Sequence, residues 1–179
     1  MGKGFRDARA RKKFMKAWGE IVGGIGLAIA AEPIHEGGHA IATRMVTGVW
    51  PEIGLWAVHP TSGFASKLYA LIVLAAGDLA VLTWWAVIFL LVYHRPQWKW
   101  ALVGPSLMTV IVLVTWFASA VLMPFGRADL GASDAAKFLA ISGASPWMLA
   151  AIICGIAGIT AAIVTRYFRL PASTAARKR

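Results

Sequence analysis

Three long apolar runs dominate the pattern of hydrophobic and polar positions along the chain. They cover residues 68–92, 100–123 and 147–165, and Asp78 is the one charged residue among them. The hydrocarbon layer of a membrane is about 30 Å thick and needs roughly 20 apolar residues in helical form. Each run is therefore predicted to be a transmembrane helix, and Pro105 is tolerated because it lies in the opening turn of the second run.

A further apolar segment, residues 21–46, differs from these runs because it contains several polar groups. They are Glu32, His35, Glu36, His39 and Arg44, and Pro33 lies among them. Polar side chains facing hydrocarbon cost several kcal/mol in total, so they face a bundle interior or a water-filled cavity. We therefore predict a fourth span here, the first along the chain, with a polar site inside it.

Two connections are longer than turns. Residues 48–66 are apolar but broken by Pro51 and Gly54, which fits a short, membrane-associated pair of strands where protein covers them. Residues 124–146 form the other connection. We found no internal repeat, so one domain over residues 21–169 is expected. The predicted fold class is an all-α integral membrane protein with four transmembrane helices and a short strand-like loop after the first.

Composition and charge indicate where in the cell the protein is expected to lie. The chain of 179 residues is 59% hydrophobic and 15% charged, which excludes an ordinary soluble globule. Of its 18 basic residues, seven lie within the first 16 positions and five between Arg166 and Arg179. Basic clusters beside a span bind anionic lipid and mark the cytoplasmic side, so nucleic acid is not an expected partner. We expect a prokaryotic inner (plasma) membrane with both termini cytoplasmic.

The ends of the chain have their own expected roles. Residues 1–20 are interpreted as a basic interfacial segment or, equally, as a solvated tail, and residues 170–179 as a basic C-terminal tail. The N-terminus is expected to be retained, because Glu20 and Glu32 interrupt what would be the apolar part of a signal peptide. Cys154 is the single cysteine, which excludes an intrachain disulfide and a thiolate metal cluster.

The chemistry lies in an HExxH motif, His35-Glu36-Gly37-Gly38-His39. On a helix the two histidines lie on one face and can bind one Zn²⁺, while Glu36 is placed to accept a proton from water as general base. With four His and four Glu in 179 residues, random placement gives roughly 0.002 such motifs. A structural polar cluster and a metal site without catalysis are the alternatives to a catalytic site.

A catalytic zinc ion needs a third protein ligand. The candidates that can reach the motif are Asp78, Asp129 and Asp134. His59 and His94 lie at span edges and are interpreted as interfacial groups outside the site.

The chain also resembles the site-two protease family of intramembrane zinc metalloproteases. The resemblance covers about residues 34–140. It is carried by residues 35–44, which are similar to the family's HExGHA helix, and then by Gly48, residues 53–55, residues 67–77 and the stretches 123–125 and 131–139. It implies His35 and His39 as ligands, Glu36 as base and Asp134 as third ligand, with Asp129 and Asp78 as alternatives. The chain departs from the family pattern at Asp78, Val81 and Ala135.

Three functional hypotheses follow. The first is an intramembrane zinc endopeptidase that cleaves a membrane-spanning segment of another protein. The second is a non-proteolytic, protease-like accessory or structural subunit of a larger membrane complex. The third, a transporter or channel with a proton path through Asp78 and the histidines, does not explain the intact order of the HExxH motif.

Overall fold

The computed structural model describes residues 3–54, 58–59, 64–126 and 133–169. Helices make up about 87% of this part of the chain, which confirms the all-α class. Four helical stretches are long and apolar enough to cross a membrane: Ala10–Thr47, Lys67–His94, Gln97–Phe125 and Pro146–Tyr167. The chain therefore has the makeup of a multi-pass membrane protein. Asp129 and the C-terminal tail, residues 170–179, lie outside the described residues.

By the density of its internal contacts the chain divides into two units, Met1–Thr109 and Val110–Arg179. The first unit holds most of the secondary structure, in this order: α1 (Lys3–Ile29), α2 (Ala31–Thr47), β1 (Glu52–Ile53), β2 (Val58–His59), α3 (Lys67–His94), a 3₁₀ segment (Pro96–Leu102) and the start of α4 (Val103–Leu122). The second unit holds the rest of α4, a 3₁₀ turn (Met123–Phe125), α5 (Asp134–Ser142) and α6 (Pro146–Arg169).

The first predicted span consists of two helices that meet at Ala30. Pro33 explains the break, because proline has no N–H to bond the carbonyl of Ile29 four residues earlier. Helical hydrogen bonds continue on both sides of Pro33. The N–H of Ala30 donates to the carbonyl of Gly26 at 2.9 Å, and the N–H of Ile34 donates to the carbonyl of Ala30 at 3.3 Å. At the other end, α1 begins at Lys3. The segment predicted to be interfacial is therefore helical from that residue onward.

Helix α2 packs closely along α3. A Cβ atom added to Gly38 would lie 2.8 Å from the Cβ of Ala80, which shows that only a residue without a side chain fits between the two backbones. Both helices also carry small buried side chains, Ala40 and Ala42 on α2 and Val73 and Val81 on α3. The close approach lets side chains of α2 reach backbone and side-chain atoms of α3.

Helix α1 approaches the start of α4 equally closely. A Cβ on Gly104 would collide with the carbonyl oxygen of Gly24 and lie 2.7 Å from the amide nitrogen of Ala28. The ring of Trp100, in the 3₁₀ segment, packs against Gly23. Glycine at these positions allows the two helices to cross with their backbones nearly in contact.

The connection after α2 contains the expected pair of strands. Gly48 ends α2 in the left-handed conformation, with φ of 74°, which glycine adopts without strain. Strands β1 and β2 then pair in antiparallel register, Glu52 with His59 and Ile53 with Val58. Ser66 caps the N-terminus of α3, because its side chain accepts a hydrogen bond from the N–H of Tyr69 at 3.2 Å.

In the second unit, α5 lies within the connection predicted at residues 124–146. It packs with α4 and α6 around two buried clusters, formed by Leu113, Trp116, Ala135 and Ile153 and by Ala120, Leu139 and Ala150. Gly143, with φ of 68°, ends α5. The short helix is held in place by its apolar face, which includes its second residue, Ala135.

Candidate metal centre

Helix α2 brings the two histidines of the HExxH motif together. The Nε2 atoms of His35 and His39 lie 3.0 Å apart, and their rings are nearly perpendicular, with an interplanar angle of 84°. His39 is buried and His35 is half-buried. The predicted i, i+4 arrangement therefore places one ring nitrogen of each residue at a common point.

The second nitrogen of each ring faces α3. The Nδ1 atom of His39 lies 2.6 Å from the carbonyl oxygen of Val73. The Nδ1 atom of His35 lies 3.3 Å from Oδ1 of Asp78, within ion-pairing distance. A carbonyl oxygen and a carboxylate only accept, so both partners favour the tautomer with hydrogen on Nδ1. The two Nε2 atoms, which face each other, are then the ring atoms that can bind a metal.

The packing of α3 against the histidines requires Gly77. A Cβ on this residue would collide with Nε2 of His39 and lie 2.8 Å from Cε1 of His35. Any side chain at position 77 would thus enter the space of the two rings. Gly77 and Asp78, neighbours on α3, together shape one wall of the site.

Glu36 follows His35 on the same helix and is half-buried. Its carboxylate makes no hydrogen bond or ion pair with any described residue. The HExxH motif predicts that this glutamate is the general base.

Asp134 is the first residue of α5, in the second unit. Ser133 caps this helix by accepting a hydrogen bond from the N–H of Ala136 at 3.2 Å, and its hydroxyl lies 3.2 Å from that of the fully buried Ser119. Nζ of Lys137 lies 3.8 Å from Oδ1 of Asp134. The helix dipole favours a carboxylate in the first turn of a helix, so an acid at this position suits the start of α5.

His35 and His39, which form the metal group of the first unit, offer two ligand atoms to a metal ion. Asp134, the third ligand that the resemblance implies, belongs to the second unit. Imidazole nitrogens are common ligands of transition metals, so the paired rings suit such an ion.

The other polar residues considered in the sequence analysis lie outside the metal group. Asp78 faces Nδ1 of His35, the nitrogen not shared with His39, and is not a member of the metal group. Arg44 is exposed, with its guanidinium 6.0 Å from the centre of the Trp50 ring. His59 and His94 are exposed, in β2 and at the end of α3, and also stand outside the group.

Two contributors to the site were not predicted from the sequence, the carbonyl of Val73 and the backbone of Gly77. A backbone carbonyl has no residue type that would reveal it, and a glycine in an apolar span has many uses. The charge of Asp78 in a span that is otherwise apolar was the one sequence feature that pointed to this wall of the site.

Comparison of the chain with protein-family models, with curated proteins and with solved structures finds no match.

Proposed function

We propose that this protein is an intramembrane zinc endopeptidase, similar in its motif to the site-two proteases. The observation that carries the proposal is the arrangement of the histidine pair. Both Nδ1 atoms are engaged by α3, at 2.6 Å from Val73 O and 3.3 Å from Asp78 Oδ1, while both Nε2 atoms converge within 3.0 Å. A polar cluster with only a structural role needs no such division between the two nitrogens.

His35, His39 and Asp134 would hold the zinc ion. When bound, zinc would supply Lewis acidity, which polarises a carbonyl and lowers the pKa of bound water to about 7. Glu36 accepts a proton on its carboxylate from the attacking water and then donates it to the nitrogen of the leaving amide. The absence of a partner for this carboxylate among the described residues supports that role.

The proposed substrate is a membrane-spanning segment of another protein. In its favour, the HExxH motif lies inside Ala10–Thr47, one of the four stretches long and apolar enough to cross a membrane. A peptide bond must be at the same depth as the site that cleaves it, and a transmembrane helix meets this requirement once it unwinds locally. The proposed location is a prokaryotic inner membrane, with the basic termini in the cytoplasm against anionic lipid.

The test compares the wild-type protein with Glu36→Gln, His39→Ala and Asp134→Ala, each purified in detergent. The probe is a panel of transmembrane peptides with a fluorophore and a quencher, reconstituted with the protein in vesicles. We expect about one zinc ion per chain in the wild type and in Glu36→Gln, and little in the other two variants. Turnover should fall by about 10²-fold or more in Glu36→Gln, because general-base catalysis contributes 10²–10⁴-fold.

Two results would contradict the proposal. Cleavage by Glu36→Gln at the wild-type rate would exclude the mechanism. A folded wild-type protein without zinc that co-purifies with stoichiometric partners would support the alternative, a protease-like accessory or structural subunit of a larger membrane complex.

A further inference from the structure

Asp78 is an unusual residue for its place in the fold. It lies near the middle of α3, where the sequence from Leu68 to Tyr93 contains no other charged residue, and its side chain is 14% exposed. An ionised carboxylate in such surroundings is costly unless another group compensates its charge. The proposed catalytic steps do not use Asp78, so its presence needs a separate explanation.

The structure shows an asymmetry between the two histidines. Nδ1 of His39 faces a neutral backbone carbonyl, that of Val73, whereas Nδ1 of His35 faces the carboxylate of Asp78. A carboxylate in this position fixes the tautomer and orientation of the ring and makes Nε2 a stronger electron donor. A backbone carbonyl also fixes the tautomer and the orientation of the ring, but it strengthens Nε2 as an electron donor less than a carboxylate does.

We infer that Asp78 is a positioning residue that acts through His35 to strengthen metal binding. This inference rests on the proposed zinc site. The carboxylate of Asp78 also compensates part of the positive charge that a divalent cation would bring to His35, which lowers the cost of holding that ion in an environment of low polarity.

The test measures zinc affinity by competition with a chelator, for the wild type, Asp78→Asn and Asp78→Glu. Asparagine keeps the size and an oxygen acceptor but removes the charge, whereas glutamate keeps the charge. We expect Asp78→Asn to bind zinc about 10- to 100-fold more weakly, the usual effect of losing such a partner. Asp78→Glu should recover a large part of this loss. In Co²⁺-loaded protein, the visible absorption bands should shift in Asp78→Asn.

Glu20→Gln is the matched control, because it also converts an acid to its amide on a helix of the same unit. Glu20 pairs with Lys16 at 3.7 Å, away from the site, so the control should bind zinc like the wild type. Circular dichroism of the metal-free proteins checks that each variant is folded before the affinities are compared.

The possible failures are distinguishable. If the wild type binds zinc and Asp78→Asn binds it equally well, the positioning role is wrong while the zinc site stands. If Asp78→Asn and Asp78→Glu lose affinity equally, or if neither folds, the residue acts through packing and not through charge, which also overturns the inference. If the folded wild type binds no zinc, both the inference and the proposed function fail.

Discussion

At the residue scale, the site depends on how little room its side chains have. His39 is 8% exposed, and its two ring nitrogens are both committed, one toward Val73 and one toward His35. A ring held at both ends cannot rotate without breaking a buried contact. The neighbouring backbone of α3 must therefore stay at its present distance, which makes Gly77 the most sensitive position near the site.

We predict that Gly77→Ala weakens or abolishes zinc binding. The added Cβ would occupy the place of His39 Nε2 and approach His35 Cε1, so either the rings or α3 must shift. The measurement is zinc per chain after purification, together with thermal unfolding of the metal-free protein. Overpacking of this kind typically costs about 1–3 kcal/mol in stability.

Gly37→Ala is the control for this prediction, because a Cβ on Gly37 meets no atom within 4 Å. Alanine also has the higher helix propensity, by about 1 kcal/mol, so this variant should be at least as stable as the wild type. If Gly77→Ala retained full zinc while Gly37→Ala lost it, the described packing of α3 against the motif would be wrong.

Much of the site's chemistry was predictable at this scale, but its supporting contacts were not. The spacing of His35 and His39 alone predicts that they share a helix face. The contact between Asp78 and His35 depends instead on the register between α2 and α3, which is set by the small residues packed between them. No pattern within either helix encodes that register.

At the scale of secondary-structure elements, helix crossings are determined by glycines. The crossing of α1 and α4 places Gly104 against the backbone of Gly24 and Ala28. Because lipid tails are as apolar as leucine, close packing is the main force that associates helices in a membrane. The crossing should therefore be sensitive to a single methyl group.

We predict that Gly104→Ala lowers the stability of the protein by about 1–3 kcal/mol, the usual cost of overpacking. The measurement is thermal unfolding in detergent. Gly26→Ala is the control, because it adds the same methyl group on α1 where no atom lies within 4 Å. Equal stability of both variants would show that α1 does not pack on α4 through Gly104.

The apolar pattern predicted the long elements and missed a short one. Runs of about 20 apolar residues identify a span by length alone, which is why α3, α4 and α6 were predictable. Helix α5 has only 9 residues, too few to show a clear helical period. The break at Ala30 follows from Pro33, although the sequence alone did not tell whether the span would bend or end there.

At the scale of the whole chain, charge and span number together predict an orientation. Four stretches are long and apolar enough to cross a membrane, and an even number of crossings would leave both ends on one side. The first stretch, Ala10–Thr47, has 38 residues, or about 57 Å as helix, nearly twice the hydrocarbon thickness of about 30 Å. We therefore expect the basic residues of its first turns to reach the headgroup region, where anionic lipid would stabilise them.

We predict that residues 12 and 97 lie on the cytoplasmic side and residue 66 on the opposite side. The test introduces Lys12→Cys, Gln97→Cys or Ser66→Cys, one at a time, into a Cys154→Ser background in bacterial cells. A membrane-impermeant maleimide should label Ser66→Cys in intact cells, but Lys12→Cys and Gln97→Cys only after permeabilisation. Cys154→Ser without an added cysteine gives the background. Labelling of Lys12→Cys and Gln97→Cys from opposite sides would mean that either the first stretch or α3 does not cross, and the HExxH motif could then not be placed within the membrane.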